Sequence, residues 1–329
     1  MLKYVLKRLL YLVFVFFLIS ILMFAVYKAV PSDPVYMYTE GRQNEMSPRA
    51  FEEYKAQVRI MLGLDRPVYV QYLRWISNML TGDFGRSSVH RMEVLQLIKA
   101  PMRNTVMLNS IQLVIVFAIV IPLGITTAVR KGSAYDNAVQ VVTILGYSLP
   151  TFIICLISIL IFSSALGWLP VSGTVKAALE LTGTKGEVLW SRVLHMVQPI
   201  LVMVFMSLAG LTRYIRATMI DALRMDYIRT ARAKGLKEKV VIYSHAFRNS
   251  LIPFVTALIA WFVSIFSGSL VVETIFSWNG MGKLFYDSML AVDFSVVLAL
   301  GMFYVMLALV GNLIMDLTYT LVDPRVRLS

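Results

Sequence analysis

Six stretches of the chain contain no aspartate, glutamate, lysine or arginine, and each is long enough to cross a lipid bilayer. A helix needs about 20 residues to span roughly 30 Å of hydrocarbon. Lipid cannot satisfy the hydrogen bonds of an open strand, so we expect all six stretches to be helices. They are residues 9–27, 106–129, 138–169, 193–212, 249–272 and 294–315. The sequence therefore predicts an all-α, polytopic integral membrane protein with six transmembrane helices.

The amino-acid composition also indicates that much of the chain lies in a lipid bilayer. The 329 residues are 58% hydrophobic and 15% charged, with a mean hydropathy of +0.72. A soluble domain has about 45–50% apolar and about 25% charged residues, so a soluble enzyme is excluded. Within the third stretch, Pro150 predicts a kink, because proline removes a helical hydrogen-bond donor and clashes with the preceding turn.

The distribution of basic residues predicts how the helices are oriented. Residues 213–248 carry nine lysines and arginines against three acids, whereas residues 273–293 carry one lysine against three acids. Short loops rich in lysine and arginine stay on the cytoplasmic side. We therefore expect both termini in the cytoplasm. Most of the net charge of +12 is then explained by the lysines and arginines of cytoplasmic loops, which set the orientation of the helices. We therefore expect no nucleic acid partner.

This orientation divides the chain into four parts. They are an N-terminal segment with the first helix (1–30), an extracytoplasmic region (31–104), a five-helix core (105–320) with a cytoplasmic loop (213–250), and a cytoplasmic tail (321–329). In the external region, Ser47 as N-cap and Pro48 at the first helical position predict a helix with Phe51 on its apolar face. A second helix is predicted over Val68–Leu80.

Several kinds of chemistry are missing from the sequence. There is no GxxxxGK[ST] phosphate loop and no GxSxG elbow. The three histidines, His90, His195 and His245, fall on separate segments, so we expect neither a metal site nor a catalytic residue. No charged residue within the spans marks a proton or sodium relay. This pattern indicates a pore subunit that a partner energises, and an ATPase-independent secondary carrier is the alternative from another class.

The cytoplasmic loop contains a short amphipathic segment. Its apolar positions are Tyr227, Ile228, Ala231 and Ala233, and its charged positions are Arg229, Arg232 and Lys234. Gly235 fits the position after a helix end, where a positive φ is needed. From these residues alone, such a helix can lie on lipid headgroups or dock into the groove of a partner.

The amino-acid sequence of this loop resembles the corresponding loop of binding-protein-dependent ABC importer permeases. Their pattern is Glu-Ala-Ala, three residues, Gly and a distal Leu-Pro; here it is represented by Arg229-Thr230-Ala231, Gly235 and Ile252-Pro253. The arginine and the longer interval before Pro253 are typical of the dipeptide, oligopeptide and nickel branch. Further motifs of that branch are similar to residues 62–74, 82–87, 148–150, 166–173, 272–278 and 321–325. One departure is Asn279, where proline is usual.

The resemblance implies a type I ABC importer permease fold in the bacterial cytoplasmic membrane. It implies a pore shared with a homologous second permease, two ATPase subunits that bind ATP and Mg, and a solute-binding protein that delivers di- or oligopeptides. Nickel or a nickel chelate is the alternative cargo. This chain would bind no cofactor itself. The implied ATPase-coupling residues are Tyr227, Ile228, Arg229, Thr230, Ala231, Arg232, Ala233, Lys234, Gly235, Leu236 and Pro253.

Uncharged polar residues within the spans are candidates for lining the pathway. They are Asn109, Gln112, Ser148, Thr151, Ser207, Ser264 and Ser267. The alternative is interhelical hydrogen bonding, which small polar residues commonly provide in membranes. Glu273, at the outer end of the fifth stretch, is a candidate cap or gate, with an interfacial salt bridge as the alternative.

Overall fold

A computed structural model describes residues 2–30, 35, 39, 42–250 and 261–322. Regular structure in this part of the chain is helical, apart from one antiparallel bridge between Arg86 and Glu93. The first helices are α1 (Leu2–Ala29), a 3₁₀ turn (Arg42–Asn44), α2 (Pro48–Met61), α3 (Val68–Leu80) and α4 (Val94–Leu97). The middle helices are α5 (Lys99–Val129), α6 (Ala134–Ser148), α7 (Thr151–Ser158, continued by a π-helix over Ile159–Ala165), α8 (Ala177–Thr182) and α9 (Lys185–Leu223).

The remaining helices follow α9 directly. They are α10 (Asp226–Ala233), α11 (Glu238–Val240, continued by a π-helix over Val241–Phe247), α12 (Leu270–Ile275), α13 (Met281–Leu290) and α14 (Phe294–Val322). Residues 248–250 and 261–264 are also helical. For the described part of the chain, the prediction of an all-α protein is therefore confirmed.

Four segments are long and apolar enough to cross a bilayer. They are Val5–Ala29, Val94–Val129, Lys185–Leu223 and Phe294–Thr318, and they cover the first, second, fourth and sixth predicted stretches. A bent pair, Ala134–Ser148 with Thr151–Ala165, covers the third and makes five spans if it counts as one. The fifth predicted stretch includes residues 251–260, which lie outside the described residues. The number six stays a prediction.

The bend at Pro150 is larger than the predicted kink. α6 ends at Ser148, α7 begins at Thr151, and the two axes differ by 105°. Leu149, with ψ 131°, is extended because the proline ring disfavours helical geometry in the residue before it. Pro150 therefore has two effects at this site: it lacks a backbone N–H to donate, and it keeps Leu149 extended. Together these effects end α6 and separate it from α7.

The chain forms two compact units, which we describe separately. The first contains Met1–Pro101 and Leu284–Val310. The two helices predicted between residues 47 and 80 are present as α2 and α3: Ser47 Oγ accepts the Ala50 N–H at 3.4 Å, and Pro48 opens α2. The Ser20 and Tyr72 hydroxyls lie 2.8 Å apart and connect α1 with α3. A small apolar cluster of Ile76, Met79 and Met302 completes the packing.

The second unit contains Met102–Lys283 and Gly311–Arg327. Its largest apolar cluster is built on α5 and α9, with fully buried Leu108 and Met219 among its members. Asp136, at the start of α6, accepts two hydrogen bonds from Arg216 of α9, at 2.7 Å and 2.6 Å. Asp136 is buried, so this bidentate ion pair fixes α6 against α9.

Candidate functional site

A cavity of about 520 Å³ lies in the second unit. Its walls come from α5, α7, α9 and the segment that precedes α12. The lining residues are Asn109, Gln112, Leu113, Thr151, Met203, Met206, Ser207, Trp261, Ser264, Ile265, Ser267, Gly268, Ser269 and Val272. None of these lining residues is ionisable, so the cavity offers apolar surface and neutral hydrogen-bonding groups.

The structure brings six of the seven predicted pathway residues to this one cavity. They are Asn109, Gln112, Thr151, Ser207, Ser264 and Ser267. Ser148 is exposed at the end of α6, on the other side of the break at Pro150, and does not line the cavity. Met203, Met206 and Trp261 were not singled out from the sequence, because apolar residues in a membrane helix carry no signal that separates a cavity wall from packing.

The polar lining residues also hold the cavity wall together. Asn109 Nδ2 lies 3.4 Å, 2.9 Å and 3.0 Å from the carbonyl oxygens of Ser264, Ile265 and Ser267. These carbonyls lie where the helix over residues 261–264 ends, and carbonyls at a helix end lack partners within the helix. Gln112 Nε2 donates to Ser207 Oγ at 3.1 Å. Interhelical hydrogen bonding and cavity lining are therefore properties of the same side chains.

Glu273 follows the last lining residue and is fully buried. Its Oε1 accepts from Thr105 Oγ1 at 2.8 Å, and its Oε2 accepts from the Gly282 and Lys283 N–H groups at 2.7 Å and 3.1 Å. The Met281 N–H donates to the Thr105 hydroxyl at 2.8 Å. These N–H groups belong to the first turn of α13, where backbone donors have no helical partner. Of the alternatives predicted for Glu273, this arrangement is that of a cap.

The capped segment, residues 276–283, is called the latch loop below. Gly280 is needed there because a Cβ would lie 2.5 Å from both the Glu273 carboxyl group and Thr105 Oγ1. Asn279 donates its N–H to Thr174 Oγ1 at 3.0 Å, and its carbonyl accepts from Asn104 Nδ2 at 2.7 Å. A proline, usual at position 279, would lack the first of these bonds. The latch loop is therefore tied to α5 and to residues 173–174.

Burial raises the pKa of the Glu273 carboxyl, and the hydrogen bonds from Thr105 and from the backbone oppose that rise. Sequence reasoning missed Thr105 as the partner of Glu273 and Asn104 as the partner of Asn279. Asn104 and Thr105 precede the second predicted stretch and show no pattern that would connect them with residues so distant in sequence.

The predicted coupling segment forms a helix, α10, which begins at Asp226 and ends at Ala233. Ile228 is fully buried and Ala231 is 5% exposed, and both belong to the same apolar cluster as Met219, Val241 and Ala246. Tyr227 is 39% exposed, and Ala233 is exposed. Half of the predicted apolar face therefore anchors α10 in its own chain, and the other half is free for contact.

Gly235 ends α10 as the sequence indicates. Its φ is +74°, its N–H donates to the Arg232 carbonyl at 2.9 Å, and the Leu236 N–H donates to the Ala231 carbonyl at 3.4 Å. This pair of bonds is a Schellman motif, in which glycine is favoured because it adopts a positive φ without strain. A Cβ at Gly235 would meet nothing within 4 Å, so the constraint on this position is conformational.

The arginines of α10 have acidic neighbours within the chain. Arg232 makes two hydrogen bonds to Glu238, at 2.6 Å and 3.2 Å, and Arg229 lies 3.4 Å from Asp226. The hydrogen bond from Arg232 lowers the pKa of Glu238. Thr230, Lys234 and Leu236 are exposed beside Tyr227. Pro253 lies outside the described residues.

Two family models together match most of the chain. Residues 120–328 match the family described as "Binding-protein-dependent transport system inner membrane component". Residues 1–94 match "Binding-prot-dependent transport system membrane comp, N-term". Both descriptions agree with the family that the loop and external motifs resemble.

Curated relatives match over nearly the whole length. The oligopeptide transport system permease protein AppB of Bacillus subtilis (strain 168) is 38% identical over 99% of both chains. The di/tripeptide transport system permease protein DppB of Pseudomonas aeruginosa (strain UCBPP-PA14) is 33% identical, and the glutathione transport system permease protein GsiC of Escherichia coli (strain K12) is 34% identical, each over 99% of both chains. The chain therefore belongs to the binding-protein-dependent inner membrane components and is a multi-pass permease subunit of an ABC transporter, without an ATPase site of its own.

Proposed function

We propose that this permease carries di- and oligopeptides delivered by a solute-binding protein, through a pore that it forms with a homologous second permease. The observation that carries the cargo assignment is the cavity of about 520 Å³, lined by neutral amides, hydroxyls and apolar side chains. Its volume is within the roughly 300–1,000 Å³ of small-molecule sites. Peptides offer backbone amides and varied side chains, which such a surface contacts without requiring one charge. The relatives named above, for oligopeptides, di/tripeptides and glutathione, support the same cargo class.

Nickel, or a nickel chelate, is the second candidate cargo. A bare nickel ion prefers imidazole and other nitrogen or sulfur donors. The cavity lining contains no histidine or cysteine, and no group of three metal-ligating side chains occurs among the described residues. These observations favour peptides for the cavity itself. The ATPase-independent secondary carrier is set aside because the chain belongs to an ABC transporter family.

The cargo proposal is tested with the assembled transporter. The tagged chain is purified in mild detergent, its partners are identified by mass spectrometry, and the complex is reconstituted in vesicles with the solute-binding protein. We expect one homologous permease, two ATPase subunits, and ATP-dependent uptake of labelled peptides of two to five residues. Uptake of nickel without peptide uptake would contradict the peptide assignment. Recovery of the chain without ATPase subunits would contradict the assembly.

The proposed topology is six spans with both termini in the cytoplasm, in the type I permease fold. Four apolar helices and one bent pair support it, together with the basic loop around α10. Cys155, the single cysteine, is replaced by serine, and new cysteines are introduced at Thr230 and at Tyr69. We expect a membrane-impermeant thiol reagent to label the Tyr69 position in intact cells and the Thr230 position after permeabilisation. The reverse pattern would contradict this orientation.

We propose that α10 is the ATPase-coupling helix. Ile228 and Ala231 anchor it in the apolar cluster with Met219 of α9, so a displacement of α10 is passed to a helix that lines the cavity. Tyr227, Thr230, Lys234 and Leu236 would form the contact with the ATPase. Arg229 and Arg232 would reach its acidic groups, in competition with their neighbours Asp226 and Glu238. Rigid-body movement of packed helices would then alternate access.

Tyr227→Ala tests this coupling without disturbing the buried anchor. We expect ATP-dependent peptide uptake to fall at least about tenfold, because a central aromatic contact is commonly worth about 1.4 kcal/mol or more at an interface. Tyr69→Ala is the matched control, since Tyr69 is also exposed and lies on external α3. Normal uptake by the Tyr227→Ala variant would remove this face from the coupling role.

We propose that Glu273 acts in the outer gate through the latch loop. Gly268, Ser269 and Val272 line the cavity, and a Cβ on Gly268 would lie only 2.1 Å from the Gly282 nitrogen. The latch loop is thus packed directly against the last wall segment of the cavity. Movement of the latch loop would change the access to this end of the cavity.

A further inference from the structure

A second cavity, of about 350 Å³, lies in the first unit, where the end of α1, helix α3 and the start of α14 meet. Three cationic side chains line it, Lys28, Arg74 and Arg86, together with one carboxylate, Asp83. Asp83 Oδ1 already accepts the Gly85 N–H at 2.9 Å. The cavity therefore has a surplus of positive charge, and the transport function proposed above does not use it.

Neutral groups set the positions of two of these cations, Lys28 and Arg86. Lys28 Nζ donates to Gln71 Oε1 at 2.5 Å and lies 5.4 Å from the centroid of the Tyr27 ring. Arg86 Nη2 donates to the Arg91 carbonyl at 3.0 Å. Hydrogen bonds to neutral acceptors orient a cation without cancelling its charge. The cavity is thus organised for a ligand that brings negative charge.

The location of the cavity indicates the kind of ligand. Lys28 is in the last turn of α1, and Phe294 and Ser295 begin α14. Two membrane-spanning segments, Val5–Ala29 and Phe294–Thr318, therefore end at this cavity, which puts it at the boundary between hydrocarbon and water. Tyrosine and tryptophan collect at this level in membrane proteins, and Tyr27 and Trp75 form part of the cavity wall.

An apolar surface of α1 leads away from the cavity toward the centre of the bilayer. Phe14 and Ile21 lie seven residues apart on the helical face that carries Lys28, and each is more than half exposed. Hydrocarbon chains cover such a surface favourably. The cavity offers cationic and aromatic groups, and the helix face below it offers apolar surface, which matches the phosphate and the acyl chains of a phospholipid.

We infer that this cavity binds the phosphate group of an anionic phospholipid, whose acyl chains lie along α1. Arginine pairs with phosphate oxygens through two parallel hydrogen bonds, and lysine contributes a compact charge. The surplus charge favours an anionic lipid such as phosphatidylglycerol over zwitterionic phosphatidylcholine. The bound lipid would connect α1 with α3 and with the first turns of α14.

Native mass spectrometry of the full-length permease in detergent tests this inference with defined lipids. The probes are phosphatidylglycerol and phosphatidylcholine, and the variant is Arg74→Gln/Arg86→Gln. The control is Arg49→Gln/Lys55→Gln, which removes the same charge from α2, outside the cavity lining. We expect the wild type and the control to retain phosphatidylglycerol and the cavity variant to bind it at least about tenfold more weakly, since each lost hydrogen bond involves a charged group. Phosphatidylcholine should bind weakly to all three.

Each of the following results would overturn the inference. Equal retention of phosphatidylglycerol by the cavity variant and the control would show that these arginines do not hold lipid. Inorganic phosphate that stabilises the permease against heat as much as phosphatidylglycerol does would assign the cavity to free phosphate. Loss of solute-binding-protein affinity in the cavity variant, with lipid retention unchanged, would assign it to an acidic protein surface. If the double variant does not fold, Lys28→Gln is measured in the same way, and its unchanged lipid retention would likewise overturn the inference.

Discussion

The latch loop and helix α10 both belong to the second unit, but they are stabilised differently. Glu273 is fully buried and accepts hydrogen bonds from one hydroxyl and two backbone N–H groups. The ion pairs of α10 are exposed, with Arg229 and Asp226 side chains 79% and 95% accessible. An exposed pair contributes about 0–1 kcal/mol, whereas an unpaired buried donor costs about 1–3 kcal/mol. The latch loop is therefore fixed by buried contacts within its own chain, whereas the charged side chains of α10 stay exposed.

The first test of this comparison is Glu273→Ala, for which we expect the largest effect. Truncation leaves the Thr105 hydroxyl and the Gly282 and Lys283 N–H groups without their acceptor in a buried site. Their combined cost is about 3 kcal/mol or more, which corresponds to a Tm lower by roughly 6 °C or more in a unit of this size. Thermal unfolding of the purified permease measures it.

Glu273→Gln sharpens this result. Glutamine keeps the shape, and its carbonyl oxygen can accept from the Gly282 and Lys283 N–H groups. Its NH₂ group then takes the place of the oxygen that accepts from Thr105, so only that hydrogen bond is disturbed and an intermediate loss of Tm is expected. Equal stability of the alanine variant and the wild type would mean that the carboxylate does not hold the latch loop.

Gly235→Ala should have a smaller effect, because the space around Gly235 is open and only its φ of +74° opposes a side chain. A positive φ costs a residue with a Cβ about 1 kcal/mol, so we expect the Tm to fall by about 2–4 °C. Gly186→Ala is the matched control: it lies in α9, has no positive φ and also has nothing within 4 Å. A loss of Tm as large as that of Glu273→Ala would contradict the contrast between the two regions.

Glu238→Gln should have the smallest effect on stability at neutral pH, about 0.5 kcal/mol or less, because the Arg232 pair is exposed. The pKa of Glu238 is lowered in the folded state, so the contribution of this pair is present above the unfolded pKa. It is lost as the pH falls through the lowered pKa. The Tm values of Glu238→Gln and the wild type should therefore converge once the pH is below the lowered pKa of Glu238, and a Tm difference that grows in acid would contradict this account.

Local signals in the sequence were sufficient for some of these features. Ser47 and Pro48 predict the start of α2, and Gly235 predicts the end of α10, because capping depends on neighbouring residues. The contacts of the latch loop were not predictable in this way. Glu273 and Thr105 are 168 residues apart in the sequence, and within the latch loop Ser277 has a positive φ. Of the cavity lining, polarity identified six residues, and only the break at Pro150 separates Ser148 from the others.

The hydrogen bonds of Asn109 and Gln112 have a consequence for selectivity. Their amide nitrogens already donate within the chain, to the carbonyl oxygens of Ser264, Ile265 and Ser267 and to the Ser207 hydroxyl. Discrimination between ligands arises from a difference in binding free energy, and side-chain amides that already donate within the chain add little such difference between one peptide and the next. Choice among cargoes is then exercised before entry, by the protein that delivers them. A permease of this kind could serve several delivery proteins in one cell, and its repertoire would widen whenever a new one docks.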